Sequence, residues 1–325
     1  MTKFLKFKHL NIRNLKLEIG VALILGLALF RPTPLYAQSL SLSLWPPLLE
    51  VMIQPGKSIT QVYKLTNNSD HDLKITPQIF PFEPIGESGQ IRIQPLSPTN
   101  SKLPTGFFSF DSGEKLGQPF NLPVGQTKEM VLKLALPREN PEKDYYYTLL
   151  FSTAEEPLKT ENRHDRGGSG SITQIGTNIL ITVSQLGKPV LLGKIVSFTA
   201  PPIIDSFSTV PFEVVLENWG KTLWKPFGQI VTTGIFKQEK EIRLLEQNVL
   251  SNSSRRLDIP QFRPKLPLGP FLATLEFSLN EDGPKLFTEL AFWYLPYKLV
   301  LVVLFLLTVI FSSKRLKKAL KISQK

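Results

Sequence analysis

Side chains suited to acid–base or metal chemistry are few in this chain. It has three histidines among 325 residues and no cysteine, so it offers no thiol nucleophile and no thiolate ligand. His71 stands between Asp70 and Asp72, but this spacing matches no common zinc or calcium pattern. His9 falls in a basic N-terminal segment and His164 in a polar segment. We therefore predict no metal site and no cofactor.

Hydrolytic catalysis has little support either. A Ser-His-Asp arrangement needs a histidine held in a cleft beside a nucleophile, whereas His71 and His164 both fall in predicted turns. The Gly-x-Ser-x-Gly motif is absent. Acid pairs at 155–156 and 281–282 could serve carboxylate chemistry, but their turn-like surroundings are more simply those of solvated side chains. The chain is predicted not to be an enzyme and to have no catalytic residues.

Aromatic side chains are better candidates for ligand contact. Trp219, Trp224 and Phe227 lie within nine residues around a predicted turn, and exposed aromatics stack on sugars or anchor protein partners. The alternative is that some of them fill a sandwich core or a contact between modules. Tyr146 is the middle of three tyrosines, so on a strand its ring points away from its neighbours' face. With His164, these residues form the predicted ligand-contact set.

Short β-type runs broken by Pro, Gly and Asn must position these side chains. In the first half they are Ser58–Leu65, Leu73–Phe80, Gln90–Gln94, Thr127–Leu136, Tyr145–Thr153 and Thr177–Val183. In the second half they are Val190–Phe198, Phe212–Leu216, Gln229–Phe236, Glu241–Leu245, Arg256–Ile259, Phe271–Phe277 and Lys285–Phe292. This pattern predicts an all-β fold, with two immunoglobulin-like antiparallel β-sandwiches in tandem.

A boundary is predicted at the Leu-Gly-Lys-Pro sequence that begins at residue 186. The first sandwich then covers 38–185 and the second 186–291. Residues 155–171 are polar and contain Gly and Ser between two strong strands, which predicts a long hairpin loop. The loop is either a binding loop or a tolerated insertion.

The C-terminal region is typical of a membrane-spanning helix. Residues 299–311 carry no charge, and extending them towards the N-terminus gives about the 20 residues that a ~30 Å hydrocarbon core requires. We predict a span over 292–313 and a basic tail over 314–325. Its predicted interface residues are Trp293, Tyr294, Tyr297 and Lys298, and the cations that set its topology include Lys314, Arg315, Lys317 and Lys318. By the positive-inside rule the tail is cytoplasmic and the body lies outside the cell membrane, extracellular or periplasmic.

The N-terminal segment and the charge distribution agree with this topology. Residues 1–37 combine a basic start with an apolar run over 19–30, as in a signal peptide cleaved after Ala37; retention as an anchor is the alternative. The formal net charge is +11, but 1–37 contribute +5 and 314–325 contribute +6, which leaves the body neutral. Nucleic acid is therefore not an expected partner, whereas the lipid bilayer is.

Several turn motifs resemble the WxL-interacting surface protein family. They are Pro55–Thr60, Tyr63–Asp70, Leu122–Gln126, Glu217–Gly220, Lys225–Gly228, Asn248–Leu250 and Phe292–Lys298. Asp144 stands where the family has Gly, Ser251 where it has Pro, and Phe271 where it has Tyr. The resemblance implies a peptidoglycan-binding-type domain, a second immunoglobulin-like domain and a C-terminal membrane anchor. It also implies attachment to wall polymer, to surface proteins or to host material.

These observations predict a non-enzymatic, membrane-anchored binding or adhesion protein that contacts cell-wall polymer (polysaccharide or peptidoglycan) or other surface proteins. One alternative is a structural spacer or subunit of an envelope complex. Another is an assembly factor like a pilus chaperone, which also pairs two sandwiches but needs an open edge strand for a donated peptide.

Overall fold

The computed structural model describes residues 41–94, 105–153, 173–235, 239–281 and 283–322. The predicted signal segment 1–37 and the whole of loop 155–171, including His164, lie outside these ranges. The first module holds strands β1 Leu42–Trp45, β2 Leu48–Ile53, β3 Ser58–Asn67, β4 Leu73–Ile85, β5 Gln90–Ile93, β6 Phe108–Phe110, β7 Phe120–Leu122, β8 Thr127–Ala135, β9 Asp144–Thr153 and β10 Gln174–Val183. A 3-10 turn, Thr105–Phe107, precedes β6.

The second module holds strands β11 Gly193–Thr199, β12 Ile203–Asp205, β13 Glu213–Asn218, β14 Phe227–Gly234, β15 Glu239–Arg243, β16 Ser253–Arg256, β17 Gly269–Ser278 and β18 Leu286–Leu295. Helix α1, Tyr297–Ile322, follows β18. The predicted mostly-β composition with one C-terminal apolar helix is confirmed. The predicted strands overlap strands of the structure with ends shifted by a few residues, except that the predicted strand Arg256–Ile259 shares only Arg256 with β16.

Each module consists of two sheets that share a core. In the first module the sheet orders are β1-β3-β8-β6 and β2-β10-β9-β4-β5, with β7 also paired to β4. Phe108 of one sheet meets Tyr147 of the other edge to face at 5.0 Å between ring centroids. In the second module the sheet orders are β11-β13-β16 and β12-β18-β17-β14-β15. Leu216 of the first of these sheets and Leu275 of the second lie in one buried cluster. Period-two alternation along the strands produces these buried faces.

The opening segment of each module crosses from one sheet to the other. β1 and β11 pair antiparallel with β3 and β13, whereas β2 and β12 pair parallel with β10 and β18. A proline pair, Pro46-Pro47 or Pro201-Pro202, lies at each crossing. Because proline has no N–H to donate, the ladder ends there and the chain can move to the opposite sheet. The prediction of purely antiparallel sheets is therefore wrong at these two pairs.

A buried asparagine closes the same turn in both modules. Asn67 Nδ2 donates to the carbonyls of His71 and Leu122, at 2.9 and 3.0 Å. Asn218 Nδ2 donates to the carbonyls of Thr222 and Val249, both at 2.9 Å. Each Oδ1 accepts the N–H two residues further on, at 2.9 Å. The side chains thus replace missing strand pairing, and the two modules share a turn although their sequences do not form a clear repeat.

The junction between the body and α1 differs from its prediction. β18 continues to Leu295 and α1 begins at Tyr297, so the helix starts five residues after the predicted start at residue 292. Tyr294 is fully buried in the second core, where burial raises its pKa to about 12. Its assignment to the membrane interface is therefore wrong, because β18 alternation points its ring inward and that of Trp293 outward.

Helix α1 is the one helix in the described ranges that is long and apolar enough to cross a membrane. The stretch Tyr297–Lys314 has a mean hydropathy of 1.9, and none of it is buried against the body. Tyr297, Lys298 and Lys314 are exposed. The helical backbone continues past Arg315, Lys317 and Lys318 to Ile322, beyond the predicted end of the span at 313.

Candidate binding site at the junction of the two modules

The aromatic cluster predicted around residues 219–227 does not form one surface. Trp224 is 3% exposed, donates its Nε1–H to the Leu192 carbonyl at 3.3 Å and stacks on Phe277. Its predicted ligand contact is therefore wrong, because it fills the second core. Trp219 is 58% exposed and Phe227 is exposed, so these two remain open to solvent.

Tyr146 lies where the two modules meet. Its ring stacks on Phe82 with 5.5 Å between centroids, and its hydroxyl donates to Asp144 Oδ2 at 2.5 Å. The same hydroxyl accepts the backbone N–H of Ser251 in the second module at 2.8 Å. Tyr146 is therefore half-buried in a contact between the two modules. Such a contact is the alternative to ligand binding that the sequence analysis gave for the aromatic residues.

Asp144, the first residue of β9, is the centre of this contact. It is buried and accepts bonds from the Tyr146 hydroxyl, from Thr182 Oγ1 at 2.8 Å and from the Leu223 N–H. Its own N–H donates to the Lys221 carbonyl at 2.9 Å. Burial raises the pKa of Asp144 above its usual range, although the three donated bonds work in the opposite direction. A buried carboxyl is tolerated here because donors from both modules satisfy its oxygens.

Polar contacts outside the Asp144 cluster, including a salt bridge, also join the two modules. Lys225 Nζ lies 2.7 Å from Glu50 Oε2, and Asn248 Nδ2 also donates to Glu50. The turn between β4 and β5 reaches the second module as well, since the Arg256 N–H donates to the Glu87 carbonyl at 2.7 Å. Contacts from β2, from the turn between β4 and β5 and from β9 thus hold the second module at several separate points.

An open cleft of about 540 Å³ lies at this junction. The segment that precedes β9 forms one wall, and the second half of β4 and residues 221 and 251–252 contribute the rest. Its rings include those of Pro81, Pro84, Pro141 and Tyr145, and its charged side chains include Glu83, Glu142, Lys143 and Lys221. Lys143 Nζ lies 5.0 Å from the Tyr145 ring centroid. The cleft therefore offers apolar surfaces beside charges of both signs.

Sequence reasoning singled out Tyr146 but missed the residues that bond to it. Asp144 and Ser251 were noticed only as departures from a family pattern, and the structure brings both to the Tyr146 hydroxyl. Two unexpected polar residues 107 positions apart were the one signal available in the sequence. No local pattern relates them, because they meet only when both modules are folded.

The histidine turn shows no ligand site. Nδ1 of His71 lies 2.6 Å from Asp70 Oδ1 in an exposed turn, and this bond lowers the pKa of Asp70. Among the described residues, no three His, Cys, Asp or Glu side chains cluster in a way that could hold a metal ion. That the chain takes no metal or cofactor stays a prediction.

Comparisons with known proteins give similarity to solved structures alone. No family model and no curated protein sequence matches the chain, so the resemblance to the WxL-interacting family stays a prediction. The class 5 fimbriae chaperone CfaA is 12% identical, with 79% of this chain and 100% of that chain covered and a TM-score of 0.39.

Two further structures have similar scores. The E. coli chaperone DraB is 11% identical, with 78% and 100% covered and a TM-score of 0.36. The CsuC–CsuE chaperone–adhesin complex of Acinetobacter baumannii is 13% identical, with 67% and 90% covered and a TM-score of 0.32. Similarities this low carry no functional assignment, and the function must come from the site itself.

Proposed function

We propose that this chain is a non-enzymatic, membrane-anchored surface protein that binds a segment of another surface protein in the cleft between two immunoglobulin-like sandwiches. The observation that carries the proposal is the cleft, whose walls are held by the contacts of Asp144 and Tyr146 with the second module. A ligand site with walls fixed before binding loses less entropy when it is occupied.

The lining favours an extended peptide over a wall polysaccharide. The apolar rings of Pro81, Pro84 and Tyr145 suit proline-containing or extended segments, which grooves with aromatic residues recognise. Lys143 and Lys221 can pair with acidic side chains of such a segment, while the cleft's two glutamates oppose a uniformly anionic polymer. Wall polymer is the competing ligand class.

The topology of this proposal follows from α1 and the charges beside it. An 18-residue apolar helical stretch is about 27 Å long, close to the ~30 Å of a hydrocarbon core. By the positive-inside rule, the cations after the stretch favour a cytoplasmic C-terminal end with both modules outside. Because β18 runs almost directly into α1, the second module stands next to the bilayer.

Site-specific photo-crosslinking in intact cells tests the ligand class. A photoreactive phenylalanine analogue replaces Tyr145 in the cleft, and a matched copy replaces Leu272 on the outer face of the second module. We expect a protein crosslink from position 145 and none from position 272. The crosslink from position 145 should disappear in Lys221→Glu and persist in the control Lys74→Glu. A crosslink that is insensitive to Lys221→Glu, or retention on purified wall polymer that Tyr145→Ala abolishes, would contradict the proposal.

A second candidate is an assembly factor that adds a partner strand to an open sheet edge. Among the described residues, β12 covers the outer edge of β18 only at Trp293–Leu295, and no strand pairs with that edge from Leu286 to Ala291. The Trp293 N–H points to this edge, since it donates to the Pro202 carbonyl at 2.8 Å. By alternation, the N–H groups of Phe287 and Glu289 face the same way. An added strand could pair there.

Proline at residue 289 distinguishes this second candidate. Glu289→Pro removes an outward N–H without removing a bond to β17, whereas Glu289→Ala keeps that N–H. If strand addition is the function, crosslinks from the β18 edge to a partner disappear in Glu289→Pro and persist in Glu289→Ala. Equal crosslinking by both variants would refute strand addition.

A further inference from the structure

Exposed apolar side chains gather where the second module meets α1. In the parallel pair of β12 and β18, Ile203 lies beside Trp293, and these side chains are 53% and 50% exposed. Phe207, in the turn after β12, is 62% exposed. On the other side Leu268 is exposed and precedes Gly269, which pairs with Tyr294. Two loops and a strand end therefore present apolar groups at the same end of the module.

Asp205 fastens this end of the module to α1. It is buried; its Oδ1 accepts the Lys298 N–H at 3.3 Å and its Oδ2 accepts the Phe207 N–H at 3.1 Å. The first N–H groups of a helix have no partner within the helix, and a carboxylate there satisfies one and opposes the helix dipole favourably. Only Pro296 separates β18 from α1. The direction in which the helix leaves the module is thereby constrained.

Cations stand among these apolar groups. Arg263 donates through Nη2 to the Ser206 carbonyl at 2.9 Å, and its guanidinium lies 5.9 Å from the Phe207 ring centroid. Lys298 is exposed at the first turn of α1. Aromatic rings beside long cationic side chains are the composition found at the membrane–water interface, where the rings enter the headgroup layer and the cations meet phosphates.

We propose that this end of the second module rests on the phospholipid bilayer, with Phe207, Leu268 and Trp293 in the headgroup layer. The lipid is the occupant because the patch is continuous with the start of the helix that enters the membrane. An exposed apolar patch seldom stays in water without a partner surface. The inference rests on the proposed insertion of α1, and it adds that the body itself contacts lipid in a fixed orientation.

Fluorescent labelling at single cysteines tests this docking, since the chain has no native cysteine. Phe207→Cys, Leu268→Cys, Phe287→Cys and Phe305→Cys are each labelled with an environment-sensitive dye in the full chain. The variants are reconstituted in phosphatidylcholine vesicles that carry nitroxide lipids. Position 287 is the matched control, because its side chain is 60% exposed on the same strand, roughly 20 Å from residue 293. Position 305 lies in the middle of the apolar stretch Tyr297–Lys314 of α1 and reports helix insertion.

We expect dyes at 207, 268 and 305 to shift their emission to shorter wavelength and to lose intensity to the nitroxides, while the dye at 287 does neither. If 305 is quenched but 207 and 268 behave like 287, the docking is refuted and the membrane anchor stands. If 305 is not quenched, the anchor itself fails, and the docking fails with it.

Discussion

The hydroxyl of Tyr146 can be removed without disturbing its ring. In Tyr146→Phe the ring stays stacked on Phe82, but Asp144 loses a donor and the Ser251 N–H loses its acceptor. The change therefore acts on the junction between modules and leaves the packing of the first core intact.

The expected cost follows from these two bonds. A hydrogen bond to a carboxylate contributes about 1.5–3 kcal/mol, and water can partly replace the bond to the half-buried Ser251 N–H. We therefore expect junction opening to become easier by about 2–3 kcal/mol, which corresponds to roughly 30- to 150-fold faster exchange of amides protected by the junction. The Leu223 N–H is the best reporter, since it lies in the second module and donates to Asp144 Oδ2.

Hydrogen–deuterium exchange of the full chain in detergent micelles measures this opening. Tyr145→Phe is the matched control, because it deletes the same atom one residue away. That hydroxyl lies 3.4 Å from the Pro141 carbonyl of the same module and does not cross the junction. We expect exchange at Leu223 to change by no more than about twofold in this control.

Two results would contradict this role of the Tyr146 hydroxyl. Unchanged exchange at Leu223 in Tyr146→Phe would mean that the hydroxyl does not hold the modules together. Equal acceleration in Tyr146→Phe and Tyr145→Phe would mean that loss of any nearby hydroxyl loosens β9, with no special role for the contact with Asp144.

Two further predictions concern stability. Because burial raises the pKa of Asp144, the contribution of Asp144 to the free energy of unfolding is largest below its unfolded pKa of about 3.8 and is lost as pH rises through the folded pKa. In urea unfolding of residues 41–296, the stability of the wild type relative to Asp144→Asn should therefore fall as pH rises across that window. A stability difference that does not change with pH would contradict the effect of burial. Asn67→Ala and Asn218→Ala each leave three backbone groups without their hydrogen-bond partner and should each lower the free energy of unfolding by about 3 kcal/mol or more. Hydrogen–deuterium exchange should show the loss of protection in the first module for Asn67→Ala and in the second module for Asn218→Ala. A loss below about 1 kcal/mol, or a loss of protection in both modules, would contradict the role of the turn.

The strands could be predicted because their signal is local. β8 alternates so that Met130, Leu132 and Leu134 are buried on one face, and the sequence shows that alternation directly. The roles of Asn67 and Asn218 at strand ends were predictable for the same reason, since Asn favours such turns by its own chemistry. The short strands β1, β2 and β12 were missed, because three to six residues beside proline carry too little pattern.

Side-chain exposure at the ends of strands was harder to predict. Trp224 and Tyr294 have the amphipathic character of contact residues, yet both are buried with their polar atoms bonded to carbonyls. Whether an aromatic points inward depends on strand register, and a shift of one residue reverses it. For Tyr294, the error arose from ending β18 three residues too early.

The order of the longer strands, the apolar helix near the C-terminus and the concentration of the net charge at the two ends could be read from the amino-acid sequence, because each depends on neighbouring residues or on composition. The contacts by which Asp144, Tyr146 and Ser251 join the modules, and by which Asp205 holds the start of α1, are visible only in the folded chain. These contacts connect residues up to 105 positions apart, and a polar side chain can hold two modules together only when folding removes water from around it.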